Sequence, residues 1–277
     1  MARMLDCGGR GLDLSRPRIM GILNVTPDSF SDGGDFISPA AALDQARRMA
    51  AEGADMIDVG GESTRPGAEP VSAEQEIARV VPVIEAIARE LPLPISIDTS
   101  KPEVMRAAVT AGAGLINDVY ALRREGALET AAALGVPVCL MHMQGEPRTM
   151  QQAPRYGDVV AEVAAFLEAR IAACEAAGIP KDRLLIDPGF GFGKTLEHNL
   201  TLLRRLAEFG RQGLPVLAGL SRKSMIGALL DGAPVERRLH GSVAAAMLAV
   251  ERGAAIVRVH DVGPTAEALR VAMAIAR

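Results

Sequence analysis

Four side chains able to anchor a polar ligand, Asn24, Asp98, Asn117 and Asp187, each stand at or near the end of a short aliphatic run. Every buried polar edge needs a partner. Carboxylates and carboxamides that converge on one cavity therefore suit a heterocycle carrying several N–H donors and a carbonyl, and the edge of a guanidine-like ring fits this inventory. A second set is cationic: Arg65, Arg222, Lys223, Arg258 and His260. Arg258 and His260 are two residues apart and so share one face of a strand. Arginine and histidine at a strand mouth near helix N-termini suit phosphate or diphosphate. For Arg222 an exterior salt bridge is an equally good reading. Asp58 and Asp118 are read as structural, because strand neighbours face opposite sides, and Asp261 as a residue that orients His260. His142 and His240 read as satisfied structural histidines, and His198 as a solvated helix residue.

The stretch IDPGFGFGKT at 186–195 looks like a nucleotide loop but fails both tests. Pro188 stands where a Walker A pattern needs glycine, and Lys194 stands where the third glycine of GxGxxG belongs. What remains is a carboxylate, Asp187, followed by backbone free to approach a ligand closely. The chain has six Phe, two Tyr and no Trp. Phe30, Phe36, Phe190 and Phe192 lie in glycine-rich stretches, where flat surfaces for a planar ligand are expected. For Phe36, packing on a rim is an equally good reading.

Eight aliphatic, β-branched runs carry these residues: 19–25, 56–61, 95–99, 115–119, 136–143, 184–189, 216–221 and 256–262. Near-continuous apolar strands separated by helix-like segments imply parallel strands covered on both faces. Eight such units predict a (β/α)8 barrel, whose post-strand loops build the active site. Residues 4–14 alternate around Gly8, Gly9 and Gly11 and predict a hairpin that plugs the barrel floor. Ser72 with Gln75 fits a capping box ahead of the stripe Ile77, Val80, Val81, Ile84 and Ile87. Pro82 is expected to kink that helix or mark its start. Val160, Val163, Leu167, Ile171 and Cys174 form a second stripe, ended by Gly178 and Pro180. The segments 26–38, 62–71 and 144–157 are longer than simple connections require.

At 277 residues the chain matches one barrel of about 250 residues, so a single domain spanning 1–277 is expected. A net charge of −4 disfavours a nucleic-acid partner, and any anionic ligand must be held by a local cluster. Cys7, Cys139 and Cys174 show neither a disulfide framework nor zinc-ligand spacing. With no signal-peptide core and no run of membrane-spanning length, a cytoplasmic protein is expected.

Taken together, eight segments resemble dihydropteroate synthase, the sulfonamide target of folate synthesis. They are NVTPDSFSDGG (24–34), GESTRPG (61–67), SIDT (96–99), NDV (117–119), MHMQG (141–145), DPGFGFGK (187–194), SRKS (221–224) and RVHD (258–261). The resemblance spans essentially the whole chain. It implies a transferase that condenses a dihydropterin methyl diphosphate with 4-aminobenzoate, releasing diphosphate. Carried over motif by motif, Asp98, Asn117, Asp187 and Lys223 resemble pterin-pocket residues, with Arg258 stacking along the ring and Met141 among the substrate contacts. Asn24, Arg258 and His260 resemble the diphosphate site, with Asn24 also contacting Mg²⁺. Phe30, Asp32, Thr64, Arg65 and Pro66 fall in segments similar to the loops that close over the site. Pro66, Phe192, Ser221 and Lys223 resemble the 4-aminobenzoate pocket. Family precedent implies diphosphate departure before amine attack, with Asp32 near the developing positive charge, Arg65 or a loop dipole guiding the arylamine carboxylate, and a homodimer through late helices such as 235–253. A pterin-binding domain of methyltetrahydrofolate-dependent methyltransferases is the rival reading. It needs no diphosphate site, and the 26–34 loop, the Ser221–Lys223 segment and the Arg258/His260 pair speak against it. A barrel that binds pterin without turnover is the third.

Overall fold

The computed structural model describes residues 4–26, 38–63, 70–146 and 149–275. Among these, eight strands close into a parallel barrel: β3 (Arg18–Asn24), β4 (Met56–Gly60), β5 (Ile95–Asp98), β6 (Leu115–Asp118), β7 (Val138–Met141), β8 (Leu184–Asp187), β9 (Val216–Ala218) and β10 (Ala254–Val259). They follow one another in sequence order around the barrel, and β10 pairs with β3 to close it. Outside run the helices α1 (Pro39–Glu52), α2 (Ala73–Glu90), α3 (Pro102–Ala111), α4 (Ala127–Leu134), α5 (Val159–Ala176), α6 (Leu196–Arg204), α7 (Ser224–Leu229), α8 (Leu239–Glu251) and α9 (Val262–Ile275). This is the (β/α)8 architecture that the strand runs imply.

Both strand faces are buried, which is why the runs are aliphatic at nearly every position. Outward residues such as Ile57, Val59, Ile95, Ile97, Leu184 and Ile186 join a large core beneath the helices. Inward residues Met20, Met56, Leu115, Cys139, Leu185, Leu217 and Ile256 form a second layer deep in the barrel. The hairpin of β1 (Met4–Cys7) and β2 (Arg10–Asp13) is antiparallel, and its Leu5, Cys7 and Leu12 join this inner layer. The plug expected from residues 4–14 is therefore present.

Local signals explain several helix ends. Ser72 and Gln75 form a reciprocal capping box at the start of α2. Asp158 caps α5 through the amides of Val160 and Ala161, and the expected stripe from Val160 to Cys174 is buried. Pro82 does not begin a helix, because α2 starts at Ala73 and runs through it. A proline there forfeits one intrahelical hydrogen bond, and the burial of Val80, Val83, Ile84 and Ile87 offsets the loss.

Arg10 fastens the plug. Its guanidinium donates to the carbonyls of Ala88 (2.6 Å), Leu91 (2.9 Å) and Leu93 (2.6 Å), at the end of α2 and ahead of β5. A cation at a helix C-terminus is favourable, and removing it orphans three carbonyls. Arg10→Ala is expected to lower the unfolding free energy by about 2 kcal/mol in urea denaturation. A change within about 0.5 kcal/mol, as for an ordinary surface position, would remove Arg10 from this role.

Candidate active site

Strand register assembles the site from short-range rules. Asn24 pairs with Gly60, Gly60 with Asp98, and Asp98 with Asn117, so these positions form one rung across β3 to β6. Partners in a parallel ladder face the same way, and here they face the barrel interior. A Cβ at Gly60 would lie 3.5 Å from the Asn24 side-chain oxygen and 3.6 Å from the Asp98 Cβ, so its bare backbone brings the two side chains close. Across the barrel, Met141 pairs with Asp187 at the ends of β7 and β8.

One guanidinium ties the rung to the last strand. Arg258 Nη2 donates to Asp98 Oδ2 at 2.7 Å, and its Nε to Asp58 Oδ2 at 2.5 Å. The same Asp58 oxygen accepts from Asn117 Nδ2 at 3.2 Å. Asp58 is fully buried, and its structural work is done inside the site, where it holds Arg258 and Asn117. It lies two residues before Gly60 on β4, hence on the same interior face. Alternation along one strand could not show this, since the side that counts is set by register with its neighbours. Asp118 is structural as expected, accepting the amides of Tyr120 (2.8 Å) and Leu122 (2.7 Å).

At the mouth, Ser221 Oγ lies 3.0 Å from His260 Nδ1 and accepts the His260 amide at 3.2 Å. Asp261 takes a bidentate pair from Arg222, at 2.9 and 2.5 Å. That pair staples the ends of β9 and β10 beside the Ser221–His260 contact, and it answers the salt-bridge alternative for Arg222. His198 is not a free solvated residue either, because it closes a capping box with Thr195 at the start of α6.

The loop between β8 and α6 forms one wall. Phe190 is fully buried in the core under the helices, so its ring offers no surface to a ligand. Its carbonyl is what faces the site, accepting from Lys223 Nζ. Phe192 is half-buried, packs against the cluster Val119, Met141, Met143 and Met150, and carries Lys223 Nζ 4.5 Å from its ring centroid. The loop amides are already spent: Gly189 N on Asp187 Oδ1, Gly191 N on Asn199 Oδ1, and Phe192 N on the Gly189 carbonyl. An anion has no free amides of these residues to bind, which gives a structural reason why the motif is not a phosphate loop.

Burial sets the protonation chemistry. It pushes Asp98 above the usual carboxylate range, against the pull of Arg258 and with the help of neighbouring Asp58. Asp187 is raised for the same reason, with Lys223 the main opposing charge. Burial also lowers Lys223 to about 8, and Asp187 limits the shift. Arg258 stays charged, since Asp58 and Asp98 outweigh the cost of its burial. The cup therefore offers acceptors from Asp98, Asp187 and Asn117, donors from Lys223 and Arg258, and apolar surface from Met141 and Phe192. Such a set can grip a flat heterocycle by its polar edges and its faces. No group of three His, Cys, Asp or Glu side chains among the described residues is arranged to hold a metal. Phe30, Asp32, Phe36, Thr64, Arg65 and Pro66 lie outside the described residues.

Two groups of this neighbourhood escape reading from sequence. Lys194, noted only as the residue that spoils a glycine pattern, is buried beneath the β8–α6 loop. Lys101 bridges Glu62 (2.8 Å) and the buried Glu76 (2.5 Å), while Glu62 also accepts the Val71 amide. Local spacing announces neither group: Lys101 takes both partners from another βα unit, and Lys194 joins His142 of the preceding unit to carbonyls of its own loop.

A fold of this kind, with polar side chains at the strand ends, is matched from residue 20 to residue 260 by the family model described as pterin binding enzyme. Among its relatives, the dihydropteroate synthase of Escherichia coli K12 is 60% identical over 263 residues, covering 95% of this chain and 93% of that one. A solved dihydropteroate synthase of Xanthomonas albilineans with 4-aminobenzoic acid superposes with a TM-score of 0.95 at 58% identity, covering 100% of this chain and 99% of that one. A second structure from that organism, in complex with 7,8-dihydropteroate, gives 0.91 at 56% identity, with coverage of 99% and 98%. The chain belongs to the dihydropteroate synthase family of pterin binding enzymes.

The depressed Lys223 ammonium has a direct readout. Amine labelling followed by peptide mapping should give Lys223 a midpoint near pH 8, against about 10.4 for exposed lysines. The unfolded chain holds that proton to about pH 10.4, so the group's cost to folding is full below pH 8 and is relieved as pH rises between the two values. A labelling midpoint indistinguishable from that of exposed lysines would show that Asp187 fully compensates the burial.

Proposed function

We propose that this protein condenses 6-hydroxymethyl-7,8-dihydropterin diphosphate with 4-aminobenzoate, giving 7,8-dihydropteroate and diphosphate. The observation that carries the reading is the convergence of Asp98, Asn117, Asp187, Lys223 and Arg258 on one barrel mouth. The identities and bound ligands of the relatives support it. The pterin's N–H edge is taken by the Asp98 and Asp187 carboxylates and the Asn117 carboxamide, and its carbonyl by Lys223. Arg258, held between Asp58 and Asp98, presents a flat cation along the ring. Arg258 and His260 receive the diphosphate, and Ser221 holds the imidazole toward it. The C–O bond to the diphosphate breaks first, leaving a methylene cation shared with the pterin ring. The neutral arylamine then forms the C–N bond and releases its proton. Phe192, Ser221 and Lys223 form the arylamine pocket, which is where a sulfonamide would compete. By the same resemblance, Asp32 stabilises the developing cation and Thr64, Arg65 and Pro66 serve the arylamine.

A magnesium ion fits this donor set only as a diphosphate-borne ion. It keeps most of its waters and needs few protein ligands, and Asn24, with its carboxamide oxygen at the rim, would supply one. Bound there, it would neutralise the leaving group's charge.

The homodimer is assigned to the outer face of α8 and its approach. Leu229, Leu230, Val235 and Leu248 are exposed apolar residues there, and Ala244 is exposed between them. Ala245 and Ala246 are buried within the protomer, so of the small residues Ala244 alone is available to a partner. The cytoplasmic assignment rests on three free, buried cysteines and on the absence, among the described residues, of a helix long and apolar enough to cross a membrane.

Mixing the purified protein with both substrates and Mg²⁺ should release diphosphate and form dihydropteroate. No diphosphate release at saturating substrate would reject the activity. Arg258→Ala and His260→Ala should each lower kcat/KM at least about a hundredfold, about 2.7 kcal/mol of transition-state stabilisation; unchanged turnover would remove the two residues from the leaving-group site. Sedimentation should give twice the 29.1 kDa chain mass, and Leu248→Glu should return it to one.

A further inference from the structure

Lys194 is almost completely enclosed, at 3% exposure. Its Nζ donates to the carbonyls of Gly189 (2.8 Å) and Phe192 (2.9 Å), lies 3.4 Å from the His142 carbonyl, and is 3.0 Å from His142 Nδ1. These acceptors are neutral and come from two segments, the end of β7 and the β8–α6 loop. The loop is pressed onto the β7 end with no room to spare. Gly189 and Gly193 have positive φ, and a Cβ would stand 1.9 Å from the His142 carbonyl oxygen and 2.4 Å from that of Gln144, respectively. Carbonyl oxygens gathered this tightly need a donor among them, and the lysine Nζ supplies it even though burial lowers its pKa well below the usual lysine range.

We propose that Lys194 is a positioning residue for the reaction: its buried Nζ clamps the β8–α6 loop to the end of β7 and so fixes Phe192 and the Phe190 carbonyl. Through Phe192 it sets the wall of the arylamine pocket, and through the Phe190 carbonyl it aims Lys223. The glycine-rich motif is thus a cradle whose carbonyls face its own lysine, the reverse of a phosphate loop, whose amides face a ligand. With Lys194 as donor, His142 Nδ1 is an acceptor and the imidazole is neutral. Burial, followed by the neighbouring lysine charge, lowers that imidazole to about 3, which agrees with this. The catalytic consequence rests on the function proposed above, whereas the clamp itself does not.

The test compares Lys194→Met and Lys194→Arg with the wild-type protein in two measurements. Hydrogen exchange needs no substrate. In Lys194→Met the amides of Gly191 and Phe192 should exchange at least about tenfold faster, while those of the buried stripe of α5 keep their rates. In steady-state kinetics the same variant should raise KM for 4-aminobenzoate about tenfold with a much smaller change in kcat, and Lys194→Arg should recover part of the loss. Equal loop exchange in wild type and Lys194→Met overturns the clamp. Faster loop exchange with KM for 4-aminobenzoate unchanged overturns the positioning role. Faster exchange throughout α5 as well assigns Lys194 to general stability and overturns both. A wild-type protein that makes no product would count against the activity, and the exchange comparison would still decide the clamp.

Discussion

The site depends on a single guanidinium held across the inside of a barrel. Arg258 reaches from the last strand to carboxylates on the second and third barrel strands, so three elements far apart in sequence are fixed by one planar group. Charges taken from water are costly unless paired with good geometry. Here the geometry comes without extra structure, because strand register has already placed Asp58 and Asp98 on the same interior face. Removing the arginine would leave two carboxylates facing each other in a dry space, a change of the kind that costs about 3–5 kcal/mol.

That arrangement explains how one end of the barrel can be strongly polar while the other is dry. Toward the strand N-termini, the interior is filled by methionine, leucine, isoleucine and cysteine together with the plug. Toward the C-termini, the inward positions become Asn24, Asp58, Asp98, Asn117, Asp187 and Arg258. Some of the polarity is not for ligands. Asp118 ties the turn after β6, and Lys194 ties the loop after β8, so part of the charge serves to shape backbone that then presents other side chains.

Much of this was legible in the chain because a parallel strand buried on both faces has no reason to carry charge except where it ends. Asp98, Asn117 and Asp187 stand out against aliphatic neighbours for that reason. Asp58 did not, since its side of the sheet is a property of pairing between strands. Phe190 misled because a ring in a glycine-rich loop suggests a surface, whereas the fold uses its carbonyl and buries the ring. The Arg222 partner of Asp261 was not evident either, because it comes from the loop after β9. These three misses each concern a contact between different βα units, which no single window of sequence contains; His198 differs, since its capping partner Thr195 is three residues away.

The hairpin at the barrel floor has a consequence for how the chain comes together. Leu5 and Leu12 share a layer with Leu217 and Ile256, which are made more than two hundred residues later. Until those strands exist, the plug has only part of its socket. Contacts so distant along the chain carry a large loop-closure cost before they give anything back. Sealing the base and joining the first barrel strand to the last are therefore late, mutually dependent events.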